Sequence, residues 1–286
     1  MEFWNPITGR LEKTLDAVSL SSKFNLDGSS VVTTFSPGDN NYRFAVYDTN
    51  TWQKKEINTV GIDTGAVAWT ARNKLVVVGS LTGKKGQDTP VLIDGTVPEL
   101  RATLAQFIDP DGKEKPLTLL LAHALVDNSP QKQNLADSDI QKRIFAILPW
   151  GALSDKSGDK VAIQFGAYVE PAGGFAFPNT NHSEPQEGVM VLDTRRLRVL
   201  FTHFDGANRY LRGGTWGISF TSDGKFLIFL AHSTHGEVVD SIILNAETGK
   251  EVAKFATSDN WGLAISPDAK TMAIGHRDYI ELFDLN

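Results

Sequence analysis

The chain has 286 residues, of which 41% are hydrophobic, and its formal net charge is −6. An acidic chain has no overall attraction to nucleic acid or to an anionic membrane, so we expect neither as a partner. The sequence contains no cysteine, which excludes disulfides, thiolate nucleophiles and cysteine metal sites. We expect a single cytoplasmic domain over residues 1–286, because repeat folds run long as one unit and the first residues do not resemble a secretion signal.

A hairpin pattern recurs along the chain: an apolar strand, a tight turn and a second apolar strand. Its turn residues, in chain order, are Gly28, Asn73, Gly112, Gly158, Gly224 and Ala269. The successive intervals are 45, 39, 46, 66 and 45 residues. A hairpin unit repeated every 40–45 residues or so is typical of a propeller blade, so the pattern predicts an all-β propeller.

The two ends of the chain fit the same period. Running from Ala269 through the C-terminus and back to Gly28 gives another 45 residues. This arithmetic favours six four-stranded blades in a ring, with residues 11–15 supplying the fourth strand of the last blade. Residues 2–5 are then a surplus strand, so the alternative is part of a seven-bladed propeller.

A second pattern, two apolar residues followed by Asp or Asn, predicts the ends of third strands. It occurs at Val46-Tyr47-Asp48, Leu92-Ile93-Asp94, Val191-Leu192-Asp193, Ile243-Leu244-Asn245 and Leu282-Phe283-Asp284. The polar side chain suits the start of a turn, because it can hydrogen-bond the backbone nearby. Phe3-Trp4-Asn5 repeats the pattern near the N-terminus.

These residues resemble the WD-repeat propeller family, most closely in Ser266-Pro267-Asp268-Ala269-Lys270 followed by residues 280–285. The resemblance covers nearly all of the chain. It implies four-stranded blades and a role as a platform for protein interactions. Tyr47-Asp48, Leu192-Asp193 and Phe283-Asp284 stand where the family has Trp-Asp. The Gly-His pair that the family has before the innermost strand is absent, and Gly275-His276 follows a second strand instead, so the family's buried Asp-His network is not carried over.

The spacing is irregular in two places. Between Gly112 and Trp150 only residues 117–126 and 143–148 read as strands, so the third blade is short of a strand. The 66-residue interval contains an insertion, residues 170–188, with Phe175 and Phe177 inside it. This loop is a candidate contact element, because binding residues concentrate on loops of rigid scaffolds. Alternatively, both Phe side chains fold back on the blade.

Aromatic and imidazole side chains are predicted around one mouth of the ring. Trp150, Trp216 and Trp261 are predicted to begin innermost strands, and His123, His232 and His276 to lie at or near the ends of second strands. The Trp side chains are either a binding platform or wedges between blades. We predict no metal site, because second strands lie too far from the axis for their histidines to share an ion.

Three functions are compatible with these residues. The first is a non-catalytic scaffold that binds a protein or peptide through Trp150, Trp216, Trp261, Phe175, Phe177, His232 and His276. The second is an enzyme, a lyase or hydrolase, with its site in the central mouth; the sequence has no Gly-x-Ser-x-Gly elbow and assigns no catalytic residue or cofactor. The third is a small-molecule or glycan binder that uses the three Trp side chains. We favour the scaffold.

Overall fold

The computed structural model describes residues 2–5, 7–15, 19–35, 43–57, 62–71, 75–81, 88–93, 102–104, 106–108, 114–116, 144–169, 186–196, 198–205, 217–230, 239–257, 260–266, 268, 270–276 and 278–284. These residues form strands and turns, with no helix among them, as the all-β prediction requires. It follows that the described ranges contain no helix of the length and apolarity needed to cross a membrane.

The first half of the chain forms a hairpin, two sheets and a second hairpin. The N-terminal hairpin is β1 (Glu2–Trp4) and β2 (Leu11–Thr14). Sheet 1 contains β3 (Ser19–Phe24), β4 (Ser30–Phe35), β5 (Arg43–Asp48) and β6 (Lys54–Ile57). Sheet 2 contains β7 (Ile62–Trp69), β8 (Leu75–Leu81), β9 (Asp88–Ile93) and β10 (Ala102–Leu104). The second hairpin is β11 (Gln106–Ile108) and β12 (Glu114–Pro116).

The second half of the chain forms three sheets. Sheet 3 contains β13 (Ile144–Ser154), β14 (Lys160–Val169), β15 (Gln186–Asp193) and β16 (Arg198–Asp205). Sheet 4 contains β17 (Ile218–Phe220), β18 (Phe226–Phe229), β19 (Val239–Asn245) and β20 (Glu251–Thr257). Sheet 5 contains β21 (Asn260–Ile265), β22 (Thr271–His276) and β23 (Ile280–Asp284). Within each sheet, every strand pairs antiparallel with the next strand of the chain, which is the strand order of a propeller blade.

The turns between first and second strands share one capping bond. A side-chain oxygen at the end of the first strand accepts the backbone N–H five residues later. The pairs are Asn25 with Ser30, Asp155 with Lys160, Thr221 with Phe226 and Ser266 with Thr271. Three residues after the cap, Gly28, Gly158 and Gly224 have left-handed φ angles of 74°, 71° and 68°. The predicted turn residues are therefore confirmed at these three positions.

The turns between third and fourth strands share a second motif. Oδ1 of Asn5, Asp48 and Asn245 accepts the backbone N–H groups two and three residues later. Four residues after the Asx side chain, the backbone is left-handed at Gly9, Trp52 and Gly249. Strands β5, β9, β15, β19 and β23 end at the predicted third-strand pattern. The N-terminal hairpin has the same turn, so β1 and β2 correspond to a third and a fourth strand.

The sheets follow one another in chain order and meet through their first strands. β7 packs against β3 and β13, and β17 packs against β13 and β21. Apolar side chains fill the spaces between sheets: Val191, Phe220 and Phe229 belong to the core between sheets 3 and 4. Ile228, Met272 and Ile274 belong to the core between sheets 4 and 5. The five first strands therefore lie side by side in chain order, from β3 to β21.

The chain departs from the predicted third blade. Residues 144–154 form one continuous strand, so residues 143–148 are not a separate strand as predicted. β11 pairs in parallel with β16 at Ile108 and Arg198, which places the second hairpin on the outer edge of sheet 3. Sheet 2 packs directly against sheet 3 through β7 and β13. Residues 117–126 lie outside the described ranges.

The described strand pairings do not include the predicted closure of the ring by the N-terminal segment. β2 pairs with β1, and β23 has only β22 as a neighbour among the described strands. Large apolar side chains are exposed at both ends of the array: Trp4, Ile7, Leu11, Phe24 and Leu26 near the N-terminus, and Tyr279, Ile280 and Leu282 near the C-terminus. The predicted pairing of residues 11–15 with β23 is not among the described pairings.

Candidate functional site at the first strands

The Trp-Gly dipeptides belong to three neighbouring first strands. Trp150 lies within β13, Trp261 lies within β21, and Gly217 directly precedes β17. The dipeptides therefore belong to or adjoin first strands, but Trp150 lies in the middle of β13 and not at its beginning as predicted. The side chains of Trp150 and Trp261, and the whole of Trp216, lie outside the described part of the chain.

Trp150 and Trp261 are both the extra residue of a β-bulge. In β13 the pairing passes from Pro149 to Gly151, and in β21 it passes from Asn260 to Gly262. Each Trp stands five residues before the capping residue of the following turn. Leu20 in β3 and Gly65 in β7 are skipped at the same position. Bulges change the direction of a strand and its side chains, and they are frequent beside functional sites.

His276 is held in a local cluster rather than left free. Its side chain is 5% exposed, and its Nε2 lies 3.2 Å from Oε2 of Glu281. The imidazole stacks on Tyr279 with ring centres 4.3 Å apart and planes 14° apart. His276 also pairs across the sheet with Asn260, directly before Trp261. The end of the second strand and the bulge of the first strand therefore lie at the same end of sheet 5.

The other predicted site residues lie outside the described ranges. Phe175 and Phe177 belong to the insertion, which connects β14 to β15 and so joins a second strand to a third strand as predicted. His123 and His232 are likewise not described. Within the described ranges, no three His, Asp or Glu side chains are grouped in a way that could hold a metal ion.

Gln164 lies at the same level as the Trp-Gly dipeptides. It pairs with Gly151 across sheet 3, and its side chain is 2% exposed. A Cβ added to Gly217 would lie 3.4 Å from Nε2 of Gln164, so the glycine lets this amide approach sheet 4 closely. Oε1 of Gln164 has no hydrogen-bond partner. Sequence reasoning missed this buried amide.

Lys23 is a second residue that sequence reasoning missed. It lies on β3, and its Nζ donates a hydrogen bond to the backbone carbonyl of Ala152 on β13. Trp69 of β7 donates from Nε1 to the carbonyl of Lys23 at 2.9 Å. The three innermost strands β3, β7 and β13 are therefore joined around one lysine.

Burial lowers the pKa of the Lys23 ammonium to about 8, from an ordinary value of 10.5. Desolvation is the cause of this shift, and none of the described carboxylates forms an ion pair that would stabilise the charged form. The signal in the sequence is positional. Two residues before the turn cap, the other four sheets have Ala68, Leu153, Ser219 and Ala264. Lys23 is therefore a charged residue at a position where the other four sheets have uncharged side chains.

Acidic side chains in the turns have a structural explanation. The pKa of Asp223 is lowered to about 2, chiefly by the hydroxyl of Thr221 and next by the backbone N–H of Lys225. The pKa of Asp268 is lowered mainly by the hydroxyl of Ser266, and that of Asp48 mainly by the backbone N–H of Thr51. A carboxylate fixed in its charged form by turn hydrogen bonds is unsuited to proton transfer near neutral pH.

No protein-family model matches the chain, and no curated protein matches it. Solved structures do resemble its fold. Hydrazine synthase from Kuenenia stuttgartiensis superposes with a TM-score of 0.54 at 13% identity, over 96% of this chain and 65% of that one. The Dos1 propeller superposes with a TM-score of 0.52 at 10% identity, over 99% of this chain and 58% of that one.

A further match is KlHsv2 with its loop 6CD replaced by a Gly-Ser linker, with a TM-score of 0.52 at 11% identity over 100% of this chain and 72% of that one. Together with the antiparallel sheets and their central first strands, these matches assign the chain an all-β propeller fold. It spans less than two thirds of the hydrazine synthase and Dos1 chains. At these identities the likeness concerns the fold alone.

Proposed function

We propose that the protein is a non-catalytic, WD-repeat-like scaffold that binds a protein or peptide at the end of the propeller where the first-strand bulges lie. The observation that carries this proposal is the shared bulge position of Trp150 and Trp261, on first strands that both pack against β17. Trp is enriched at interface hot spots, and a bulge gives a strand the freedom to present it.

The rest of the proposed face lies at the same end of the sheets. His276 pairs with the residue before Trp261, and Gln164 pairs with the residue after Trp150. The insertion with Phe175 and Phe177 leaves sheet 3 from β14, beyond Gln164. His232 follows β18 and Trp216 precedes β17, so both join this set by their position in the chain. The proposed contact residues are thus contributed by sheets 3, 4 and 5.

The scaffold we propose is one domain whose ring is closed by the N-terminal segment. Its blades are the five described sheets, because sheet 2 packs directly against sheet 3 and the predicted blade around Gly112 does not lie between them. Two features support closure: sheet 5 has three strands where a blade has four, and β2 has one strand edge that β1 does not use. In this arrangement β2 lies between β23 and β1, and β1 is the surplus strand. The alternative, part of a seven-bladed propeller, uses β1 and β2 as the outer half of a further blade.

The choice of a scaffold over an enzyme rests on the residues of this face. Hydrazine synthase is by its name an enzyme, so the fold is compatible with catalysis as well as with binding. His276 is stacked and paired with a glutamate, and the turn carboxylates are fixed in their charged form. Aromatic side chains and a loop are the stronger features of the face, and they suit contact with a partner.

Affinity capture from the source cells tests the proposal. The intact chain is compared with Trp150→Ala, Trp261→Ala and a variant in which residues 175–181 are replaced by a Gly-Ser segment. Asn50→Ala is the matched control, because Asn50 is exposed in a turn at the opposite end of the sheets. We expect specific partners to be lost from at least the loop variant and one Trp variant, and retained by the control.

Thermal unfolding of each variant distinguishes a Trp side chain that contacts a partner from one that packs between blades. A Trp variant that keeps its partners but unfolds at a much lower temperature is a wedge between blades. Identical sets of captured proteins for all four variants would contradict the proposed face.

A further inference from the structure

We propose that Lys23 forms a binding site for a carboxylate between the first strands β3, β7 and β13. The site adjoins the proposed partner face at Ala152, but the argument for it uses none of the contact residues of that face. The carboxylate is either a free small organic acid or a carboxylate of a bound peptide, since both present the same group to an ammonium.

The backbone directs Lys23 inward. Side chains alternate between the two faces of a strand, and the neighbours of Lys23 on β3, Ser22 and Phe24, are both exposed. Lys23 itself is half-buried. Its side chain therefore points from β3 toward the other first strands.

The hydrogen bonds place its ammonium beside β13. β3 and β13 both pack against β7, and Lys23 on β3 nevertheless reaches the carbonyl of Ala152 on β13. The side chain therefore extends past β7. Trp69 of β7 is 4% exposed and holds the backbone of Lys23 through its carbonyl. Because both ends of the residue are fixed, the ammonium keeps a defined position.

Within the described part of the chain, no acidic side chain balances the charge of this ammonium. An ammonium has three N–H donors, and the structure gives Lys23 one acceptor, a neutral carbonyl. No carboxylate of the described residues forms an ion pair with it, and desolvation alone accounts for its lowered pKa. A buried charge is costly unless it is paired, so an anion that binds here gains a partner already desolvated and positioned.

A single carboxylate fits this site better than a polyanion. Lysine is a compact point charge with rotatable donors, suited to one small anion, whereas bidentate recognition is the property of arginine. The net charge of −6 disfavours a highly charged ligand such as a nucleic-acid strand. The two N–H groups not used by Ala152 are sufficient for one carboxylate.

NMR of the chain labelled with 15N at lysine Nζ tests the site directly. The intact protein is titrated with sodium acetate, with acetamide as the neutral isostere and with sodium chloride at equal ionic strength. We expect acetate to shift the Lys23 signal saturably and to raise its pKa by about one unit, because a bound anion favours the charged form. Acetamide and chloride leave the signal in place, and the exposed Lys156 reports no change with any of the three.

Lys23→Met removes the ammonium and keeps most of the stem, so it separates binding from folding. We expect acetate affinity, measured by ligand-observed NMR, to fall about tenfold or more in this variant and to persist in Lys156→Met. Acetyl-Gly-Gly with a free or an amidated C-terminus distinguishes the two sources: tighter binding of the free form than of acetate indicates a peptide carboxylate, and equal binding indicates a small acid.

Equal effects of acetate and chloride, a shift that does not saturate, or the same acetate affinity in Lys23→Met would overturn the proposal. None of these variants alters the aromatic face, so such a result leaves the scaffold proposal to its own test.

Discussion

The backbone N–H of Ala71 donates a hydrogen bond to the carbonyl of Gly158 at 2.9 Å, which joins the turn after β7 to the turn after β13. This contact is so close that a Cβ on Gly158 would lie 2.4 Å from the nitrogen of Ala71. Gly28 has the same turn position and a left-handed φ, but nothing lies within 4 Å of its added Cβ. The two glycines therefore separate the effect of φ from the effect of packing.

We expect Gly28→Ala to destabilise the protein by about 1 kcal/mol, through backbone strain alone. Gly158→Ala adds a backbone collision, so its loss is expected to be at least about 2 kcal/mol larger. Urea unfolding of both variants measures the difference. Equal losses would show that sheets 2 and 3 do not meet at this turn.

Thr33 offers a stabilising substitution. It is fully buried on β4, and its hydroxyl has no hydrogen-bond partner among the described residues. The corresponding positions of the other sheets, by strand register, are Val77, Ile163, Phe229 and Ile274. Because valine has the shape of threonine without the hydroxyl, Thr33→Val is expected to raise the free energy of unfolding by about 1 kcal/mol.

Thr221→Val is the matched control with the opposite sign. The Thr221 hydroxyl accepts the N–H of Phe226 and donates to Asp223 at 2.7 Å. Its removal is expected to destabilise the protein by about 1–2 kcal/mol. Calorimetry that found Thr33→Val destabilising would place a partner on the Thr33 hydroxyl.

At Trp52 we expect the glycine variant to be more stable than the alanine variant, which is the reverse of the usual order. Its φ of 58° is left-handed, as at Gly9 and Gly249 in the same turn. Its ring lies 4.8 Å from that of Phe3, so both substitutions lose this contact. Glycine also relieves the strain, and Trp52→Gly is therefore expected to be about 1 kcal/mol more stable than Trp52→Ala. Chemical denaturation decides between this order and its reverse, which would count against the left-handed turn.

Lys23 makes stability depend on pH. Its folded pKa, about 8, lies below the ordinary value of 10.5, so the unfolded chain binds more protons between these values and stability rises with pH across this window. Below pH 8 the penalty of burying the ammonium is fully present. Lys23→Met is expected to be more stable than the wild type by about 2 kcal/mol at pH 7, and by much less at pH 10.

The exposed Lys156 supplies the comparison for this pH dependence. Unfolding curves of Lys156→Met should follow the wild type at both pH values. A constant difference between Lys23→Met and the wild type from pH 7 to pH 10 would exclude a buried ammonium at position 23.

Features set by local chemistry were predictable from the sequence. The Asx side chains of Asp48 and Asn245 end third strands because their own hydrogen bonds form the turn that follows. The glycines at 28, 158 and 224 mark turns because the backbone there is left-handed. In both cases the residues that decide the structure lie within a few positions of one another.

Features set by distant contacts were not predictable in this way. β2 has a pattern that suits pairing with either β1 or β23, and the pattern does not choose between two neighbours. β13 continues past Pro149 because the backbone bulges directly after this proline. The proline therefore concealed the full length of the strand in the sequence. The contacts of Lys23 involve three strands from three different sheets. No pattern within a short stretch of sequence predicts that these strands lie together.

The exposed apolar side chains at the two ends of the array affect how the protein behaves in solution. Ile280 and Leu282 are 71% and 69% exposed on β23, a strand with one unpaired edge among the described strands. Uncovered edges of this kind are templates on which further chains assemble. The pairing of β2 with β23 that we propose would therefore remove such a template as well as complete a sheet.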